Sequence, residues 1–491
     1  MRVAAAAILA ACVGLIAGCG NTYRPVLSTI GAVGPAGQPT KYAVAVSTPT
    51  QTPVGGQIVF VGTWSATTTY SINQGVTYLG SQYVSLKNGN LNQNPASATA
   101  SWSLLTNGLL TMVDFSGDTV LVTATLGVNP YYFVLSAQGT TGYTLNSDKT
   151  LNSFDVSTSL ISSEILESTL LAGANPVSVF PMTLATYIPD PGVGAIDQLT
   201  GTPPALKQEL PIASGYSPIY VVGNAGAARA YAISQSTTGG PGQVSAIETG
   251  GNTISTTLPV GRGPVYGVMT VDDRRAFILN QTDGTVTVIN EQTNALDTPI
   301  NTITVGPQPV WADLASGLDE LVVVNGGNGT TAPGSVTIIN IPLCSVTALP
   351  TNPNCNATNP IDATTFGQIV ATVPVGINPI MVTVLSDYTR AYVANAGNPN
   401  LPCAANGVAV PGVSTACTVS VVNLLSNTVT ATIPINGHPV YIASSDATPT
   451  GKVYVVCKDS QVMTVIETDT DSVDTTIPLQ GYGVSVRTTQ R

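Results

Sequence analysis

Few side chains in this sequence could carry out chemistry. The chain has 491 residues and a single histidine, His438, in the turn that ends at Pro439. A catalytic triad or a histidine metal site needs several partners around the imidazole, and none is evident near this turn. The densest charged run, Asp-Asp-Arg-Arg at 272–275, lies between two predicted strands and is typical of a solvated hairpin. We therefore predict no catalytic residue, no metal site and no cofactor.

The cysteines are the other reactive groups. Cys344 and Cys355 lie in one Pro/Asn-rich segment, and Cys403 and Cys417 lie in another. Two cysteines close together in a loop favour a local disulfide, so we predict two such bonds in an oxidising compartment. Metal binding is the alternative, although no histidine or acidic cluster accompanies either pair. Cys457 ends an apolar strand and is predicted to be a buried free thiol.

Charge is sparse over the whole chain. Charged residues make up 8% of it, with 15 basic and 26 acidic side chains and a formal net charge of −11. The sequence contains no cluster of lysine and arginine, which argues against nucleic acid and anionic lipid surfaces as partners. Threonine, serine, asparagine and glycine supply most of the polar surface instead.

The elements that position these groups recur along the chain. Short segments that end in proline each precede a new apolar strand. Successive prolines of this kind are 46, 42, 46, 45, 70 and 60 residues apart. These prolines are Pro130, Pro176, Pro218, Pro264, Pro309, Pro379 and Pro439. A period of about 40–45 residues, filled with short strands, is typical of the blades of a β-propeller.

The clearest repeat carries a family resemblance. The motifs that carry the resemblance are Ala-Tyr-Val-Ala-Asn at 391–395, Thr-Val-Ser-Val-Val-Asn at 418–423 and Ala-Thr-Ile-Pro at 431–434. They resemble the YVTN family of β-propeller repeats, with weaker copies from about residue 109 to 480. The resemblance implies the fold and says little about function, because family members include surface-layer, binding and enzyme-associated proteins.

The two ends of the chain complete this architecture. Residues 41–47 look like a second strand, and residues 483–487 could supply the missing first strand of the same blade. Such pairing would close the ring and leave no exposed sheet edge. We predict an all-β fold: a β-propeller of eight four-stranded blades over residues 40–491, with seven blades as the alternative.

The N-terminus reads as a targeting segment. A basic start and an apolar, alanine-rich stretch form a secretory signal over residues 1–18. Leu-Ile-Ala-Gly followed by Cys19 resembles the lipobox of bacterial lipoproteins, which implies lipidation of that cysteine. An ordinary signal peptide is the alternative. Gly20 after the cysteine implies the outer membrane, facing the periplasm or the cell surface. Residues 19–39 form a flexible tether.

Long insertions indicate where binding could occur. They span about 50–106, 341–367 and 396–417. The first and the last join second to third strands, so strand parity places both on one face of the ring, together with His438. Trp64 and Trp102 in the first insertion are candidate exposed anchors for a partner. The alternative is that this insertion is a small lid that only packs on the ring.

These observations favour a lipid-anchored envelope scaffold over an enzyme. The strand-start turns carry almost no carboxylates, whereas propeller enzymes usually gather acidic or histidine ligands there. We expect a protein or glycan partner of unknown identity, with a lactonase-like enzyme acting at the channel mouth as the alternative.

The lipid anchor is directly testable. Cys19→Ser should prevent acylation and leave the protein uncleaved or soluble, because the thiol is the acylation site. Detergent partitioning and the mass of the processed chain measure this, with Cys12→Ser in the signal segment as the matched control. A Cys19→Ser protein that still partitions as an acylated, processed chain would show the lipobox interpretation to be wrong.

Overall fold

The structure is a computed structural model that describes residues 41–49, 58–342, 365–445 and 451–489. Within these ranges the chain is almost wholly β, with two single-turn 3₁₀ helices at Ser162–Glu164 and Ser316–Leu318. None of the helices described there has the length and apolar character needed to cross a membrane.

Eight antiparallel sheets form the blades of the propeller: seven have four strands, and in blade 5 the place of the fourth strand is shared by two short strands. Blade 1 comprises Tyr482–Thr488, Tyr42–Thr48, Asn107–Asp114 and Val120–Val128, and blade 2 comprises Pro130–Leu135, Thr141–Asn146, Thr150–Asp155 and Leu166–Thr169. Blade 3 comprises Phe180–Pro181, Thr186–Asp190, Ala195–Thr200 and Ala205–Pro211, and blade 4 comprises Tyr216–Val222, Arg229–Ser236, Pro241–Glu248 and Thr253–Arg262. Blade 5 comprises Pro264–Met269, Arg275–Asn280, Thr285–Asn290 and the two short strands Ala295–Leu296 and Thr302–Thr304, and blade 6 comprises Pro309–Ala315, Glu320–Asn325, Pro333–Asn340 and Ile369–Ile377. Blade 7 comprises Pro379–Val384, Arg390–Asn395, Thr418–Asn423 and Thr428–Pro434, and blade 8 comprises Pro439–Ser444, Lys452–Cys457, Val462–Glu467 and Ser472–Pro478. The prediction of eight blades is confirmed, and the alternative of seven is wrong.

Blade 1 is built from both ends of the chain. Tyr482–Thr488 runs antiparallel to Tyr42–Thr48, with Val44 opposite Arg487. Tyr42–Thr48 in turn pairs with Asn107–Asp114, so the C-terminal strand becomes the first strand of the blade. The predicted closure by strands from both termini is confirmed.

The core lies between neighbouring blades. The second strand of a blade is covered on both faces: every residue of Glu320–Asn325 and of Lys452–Cys457 is buried. One cluster joins Tyr392 and Val421 of blade 7 to Val453 and Val455 of blade 8. Burial on both faces explains why the middle of each of these strands is apolar. The fourth strands lie at the outer edge of the blades, and most of their residues are exposed to solvent.

A buried asparagine fixes the end of the second strand. In blade 7, Asn395 Oδ1 accepts the backbone N–H of Gly376 at 3.1 Å, and its Nδ2 donates to Thr418 Oγ1 and Ser420 Oγ at 3.0 and 2.9 Å. A Cβ on Gly376 would lie 2.6 Å from Asn395 Cγ, so only glycine fits this position. The same glycine–asparagine contact recurs at Gly261 with Asn280 and at Gly306 with Asn325.

The charged run at 272–275 is less exposed than its sequence suggests. Arg275 Nε donates to Asp297 Oδ2 at 2.7 Å, and these side chains are 6% and 2% exposed. The expectation of a solvated hairpin is therefore wrong for Arg275, because the second strand carries its guanidinium into the space between sheets.

Two of the insertions leave the ring between second and third strands. Residues between Thr48 and Asn107 form a separate small sheet: Val59–Thr63, Gln74–Tyr78, Ser81–Ser85 and Trp102–Leu104, with Thr69–Tyr70 paired to Asn90–Leu91. The insertion between Asn395 and Thr418 has no strand of its own. Most of the third insertion, 343–364, lies outside the described residues.

Deleting residues 481–491 tests the closure. Loss of this strand exposes the edge of Tyr42–Thr48 and uncovers the first blade, so we expect the melting temperature to fall by about 10 °C or more, with aggregation. Calorimetry and light scattering measure the two effects. Adding a synthetic peptide of residues 481–491 should partly restore stability, whereas an unchanged melting temperature in the truncated protein would contradict the composite blade.

Candidate binding site

The first strands line the central channel, and most of them carry a bulge near the proline that starts the repeat. In six blades the register shifts between the starting proline and the residue two positions later. A bulge sets two residues opposite one and re-aims side chains. In five of these blades it leaves both residues after the proline partly exposed, as in the first strand of blade 5, whereas Met381 of blade 7 is buried.

The second residue after each proline is large in these blades: Tyr132, Tyr220, Tyr266, Trp311, Met381 and Tyr441. Tyr266 stacks on Trp311 with ring centroids 3.9 Å apart and lies 4.9 Å from Tyr220. Trp311 meets Tyr441 edge-on at 6.1 Å. Burial raises the pKa of Tyr441 to about 12, so its phenol is neutral at physiological pH. This layer separates two cavities that lie towards opposite ends of the channel.

The larger cavity, of about 500 Å³, occupies the end where the first strands begin. Ile58 and Phe60 of the blade-1 insertion line it, as do Pro399 of the blade-7 insertion and His438 of blade 8. Both insertions therefore border one mouth, in the arrangement that strand parity predicts. The blade-1 insertion also contacts the ring directly, since Gln82 Nε2 donates to the Ser147 carbonyl oxygen at 3.0 Å.

The mouth is largely apolar but carries positive charge. Lys149 and Lys458 line it, whereas no carboxylate does so within the described ranges. Burial lowers the pKa of Lys458, although Asp459 acts in the opposite direction. The Lys458 ammonium has no hydrogen-bond or ion-pair partner among the residues that the structure describes. A half-buried, unpaired cation attracts an anionic group.

Asparagines from the strand-start turns complete the lining: Asn129, Asn175 and Asn378. Asn129 and Asn378 have φ of 46° and 51°, a left-handed conformation that asparagine tolerates better than most residues. Backbone geometry thus explains the Asn-Pro sequences. The amide of Asn129 is buried and bonded to Thr48 and Ser147, whereas Asn175 is exposed at the rim.

His438 lies in the same rim but is fully engaged. Its backbone N–H and its Nδ1 contact the two carboxylate oxygens of Asp459 at 2.7 and 2.6 Å. Its Nε2 faces the carbonyl oxygens of Asn398 and Leu401 at 3.3 and 3.1 Å. Burial opposes ionisation of Asp459, yet the hydrogen bonds from His438 hold its pKa below the usual value. The histidine joins the blade-7 insertion to blade 8.

A disulfide braces that insertion. Cys403 and Cys417 are bonded, with Cα atoms 5.5 Å apart, which confirms one of the two predicted bonds. Cys417 Sγ, Cys403 Sγ and a His438 nitrogen lie within 4.8 Å of one another, but the bonded sulfurs present no thiolate to a metal. Cys19, Cys344 and Cys355 lie outside the described residues.

Cys457 is a buried free thiol, as predicted, and burial raises its pKa. It takes the place that asparagine holds at the end of other second strands. A Cβ on Gly437 would lie 3.0 Å from the Cys457 Cβ, which matches the glycine–asparagine contact of blade 7.

The tryptophans depart from the sequence-based expectation. Trp102 is 2% exposed, and its Nε1 donates to the Gln93 carbonyl oxygen at 2.8 Å, so the expectation of an exposed anchor is wrong there. Trp64 is partly buried and meets Tyr78 edge-on at 5.2 Å. Both rings belong to the insertion's own small core, where Trp102 packs with Tyr70 and Val76 and Trp64 packs against them.

Sequence reasoning overlooked the channel aromatics. The signal was present, because an aromatic residue or methionine follows the proline by two positions in six repeats. Simple alternation would turn successive residues to opposite faces of the strand. The bulge, which the pattern does not reveal, brings both to the channel.

The fold and the channel define the chain as an eight-bladed β-propeller with an insertion-bordered mouth. No protein-family profile and no curated protein matches its sequence. Among solved structures it is similar to the dihydro-heme d1 dehydrogenase NirN in complex with DHE, at 10% identity and a TM-score of 0.54, over 77% of this chain and 72% of that one. It is also similar to apo AztD from Citrobacter koseri, at 11% identity and a TM-score of 0.50, over 77% and 94% of the two chains. Both are propeller proteins, and identities this low show the fold alone.

The Cys403–Cys417 bond gives a prediction. Its 14-residue separation corresponds to about 3 kcal/mol of unfolding free energy in the chain-entropy view, so the double variant Cys403→Ser/Cys417→Ser should lose up to that amount. Urea unfolding monitored by circular dichroism measures the loss. Mild reduction of the wild-type protein should reproduce it, whereas equal stability in all three samples would show that the bond does not constrain the unfolded chain.

Proposed function

We propose that this protein is a lipid-anchored β-propeller of the bacterial outer membrane, with YVTN-type repeats, that captures a protein or glycan partner at its mouth. One observation carries the proposal: the two insertions and the His438 turn border a single cavity of about 500 Å³. Decorated loops around a concavity on a rigid ring are a common arrangement for binding.

The lining of the mouth supports a partner that presents an acidic group. Lys458 is half-buried and has no hydrogen-bond or ion-pair partner within the described chain, and burial disfavours its charged form. A carboxylate of the partner would displace water from this ammonium group and stabilise its charge. Ile58, Phe60 and Val440 supply apolar surface beside it. A partner with an acidic group next to an apolar one would satisfy both kinds of surface.

The same lining favours binding over catalysis. General acid–base chemistry needs a titratable side chain that is free to reach the substrate. His438 has both ring nitrogens occupied by protein oxygens, and the described residues lining the mouth include no carboxylate. A lactonase-like enzyme, the alternative, would need such groups at this position.

The membrane anchor is proposed from the N-terminal sequence. The signal over residues 1–18, the lipobox cysteine Cys19 and Gly20 together favour attachment to the outer membrane, and residues 20–39 would hold the ring away from it. A low density of basic residues fits attachment through acyl chains better than attachment through anionic headgroups.

Removing the blade-1 insertion tests the proposal. Ser47 and Leu109 are directly opposite each other in neighbouring strands, so a short Gly/Ser bridge can replace residues 52–104 without straining the blade. We expect the excised protein to keep its fold but to lose the partners that the full-length protein captures from envelope extracts. Calorimetry and quantitative mass spectrometry of the captured material measure the two properties.

A point variant refines this test. Lys458→Gln should weaken capture of the same partners about tenfold, because a charge-assisted hydrogen bond contributes about 1.5–3 kcal/mol. Lys207→Gln on the outer strand of blade 3 is the matched control. An excised protein that captures everything the full-length protein does, or turnover of a lactone by the wild-type protein, would overturn the proposal.

A further inference from the structure

A second cavity, of about 200 Å³, lies at the other end of the channel, where the first strands finish. The aromatic layer forms one of its walls through Tyr266, Trp311 and Tyr441, with Met381 beside them. Arg487, from the C-terminal strand that closes the ring, also lines this cavity. It is separate from the mouth that carries the proposed function.

Arg487 is a channel cation without an ionic partner. Its Nε donates to the Phe133 carbonyl oxygen at 3.4 Å, and its guanidinium carbon lies 4.4 Å from the centroid of the Tyr441 ring. No carboxylate among the described residues is within ion-pair distance of it. The neighbouring phenols do not compensate the charge, since burial raises the pKa values of Tyr132, Tyr220 and Tyr266 and keeps them neutral. A half-buried charge without an ionic partner is costly, which favours a counter-ion.

A second polar group at this cavity also lacks a partner. The Tyr441 hydroxyl is buried and has no hydrogen-bond partner within the described chain. A buried hydroxyl without a partner is unfavourable, and a ligand oxygen could relieve that cost. Tyr441 and Arg487 both line this cavity, and a hydroxyl and a guanidinium both suit an acceptor that carries negative charge.

The remaining polar groups of the lining are already engaged. Asp313 Oδ1 and Oδ2 accept the backbone N–H groups of Leu314 and Val384 at 2.8 Å each. The hydroxyls of Thr383 and Ser444 bond to each other at 2.8 Å. The negative charge of Asp313 disfavours an anion beside it, so the anionic end of a ligand would face Arg487 and Tyr441.

We propose that this cavity is a binding site for a small monocarboxylate with a flat apolar body, held by the Arg487 guanidinium and the Tyr441 hydroxyl against the channel aromatics. Guanidinium and carboxylate match as a two-pronged hydrogen-bonded pair. The cavity exceeds the roughly 150 Å³ that encloses benzene in a protein core, so a benzoate-sized body fits. Tyr266, Trp311 and Met381 would contact its faces.

Calorimetric titration of the detergent-solubilised full chain tests this proposal, with benzoate as the probe and benzamide as its neutral isostere. We expect benzoate to bind saturably and benzamide at least about tenfold more weakly, because a charge-assisted hydrogen bond contributes about 1.5–3 kcal/mol. Quenching of Trp311 fluorescence should follow the same isotherm. Absence of benzoate binding, or equal affinity for the two probes, would overturn the proposal.

Two variants locate the site. Arg487→Gln should weaken benzoate binding at least about tenfold, and Tyr441→Phe should weaken it severalfold. Tyr441→Phe removes a hydroxyl that has no partner in the ligand-free protein, so it should leave the melting temperature equal or raise it, which keeps the test valid if Arg487→Gln fails to fold. A role in folding alone would not produce that combination.

Controls separate this site from the mouth. Arg262→Gln is the matched control, because this exposed arginine on the outer strand of blade 4 pairs with Asp283 far from the cavity lining, and it should leave benzoate binding unchanged. Loss of benzoate binding in Lys458→Gln but not in Tyr441→Phe would assign the carboxylate to the mouth and overturn the channel site. Failure of partner capture at the mouth would leave this result untouched.

Discussion

The propeller depends on one buried side-chain interaction, repeated from blade to blade. An asparagine at the end of the second strand holds the third strand through two hydroxyls, as Asn395 holds Thr418 and Ser420, and it packs on the glycine that precedes the first strand of its own blade. An amide is one of the few side chains that can donate twice and accept in a single buried position. Because a Cβ on Gly376 would lie 2.6 Å from Asn395 Cγ, glycine and asparagine are required together.

That constraint reaches the channel. The glycine lies three residues before the proline that begins the next first strand, so the amide sets where each first strand starts and therefore where its bulge falls. The bulge then turns residues such as Tyr266 and Trp311 inward, where they stack. The aromatic layer that divides the channel is thus a remote consequence of polar contacts near the rim.

The sequence predicted what periodicity and chain connectivity determine. The repeated prolines, the pairing of residues near 44 and 487, and the Cys403–Cys417 bond all follow from spacing. It was wrong where a side chain's direction depends on packing that spacing does not encode. Trp102 is drawn into the core of a small sheet, and Arg275 pairs with Asp297 across a sheet face. The channel site was missed because a bulge breaks the alternation that strand patterns assume.

Closure of the first blade has a consequence for the order in which the chain acquires its structure. Val44 pairs with Arg487, so the innermost strand of the first blade leaves the ribosome only after the strands of the other seven blades. Until then the second strand has an open edge, and the cation of the channel is absent. The loop that must close spans nearly the whole chain, but the entropy cost of closing a loop grows only slowly with its length. Pairing of the two strands is therefore delayed by the order of synthesis more than it is opposed by free energy. A chain interrupted before residue 482 would hold seven complete blades and no finished ring, which makes translation of residues 482–488 the step that commits the molecule.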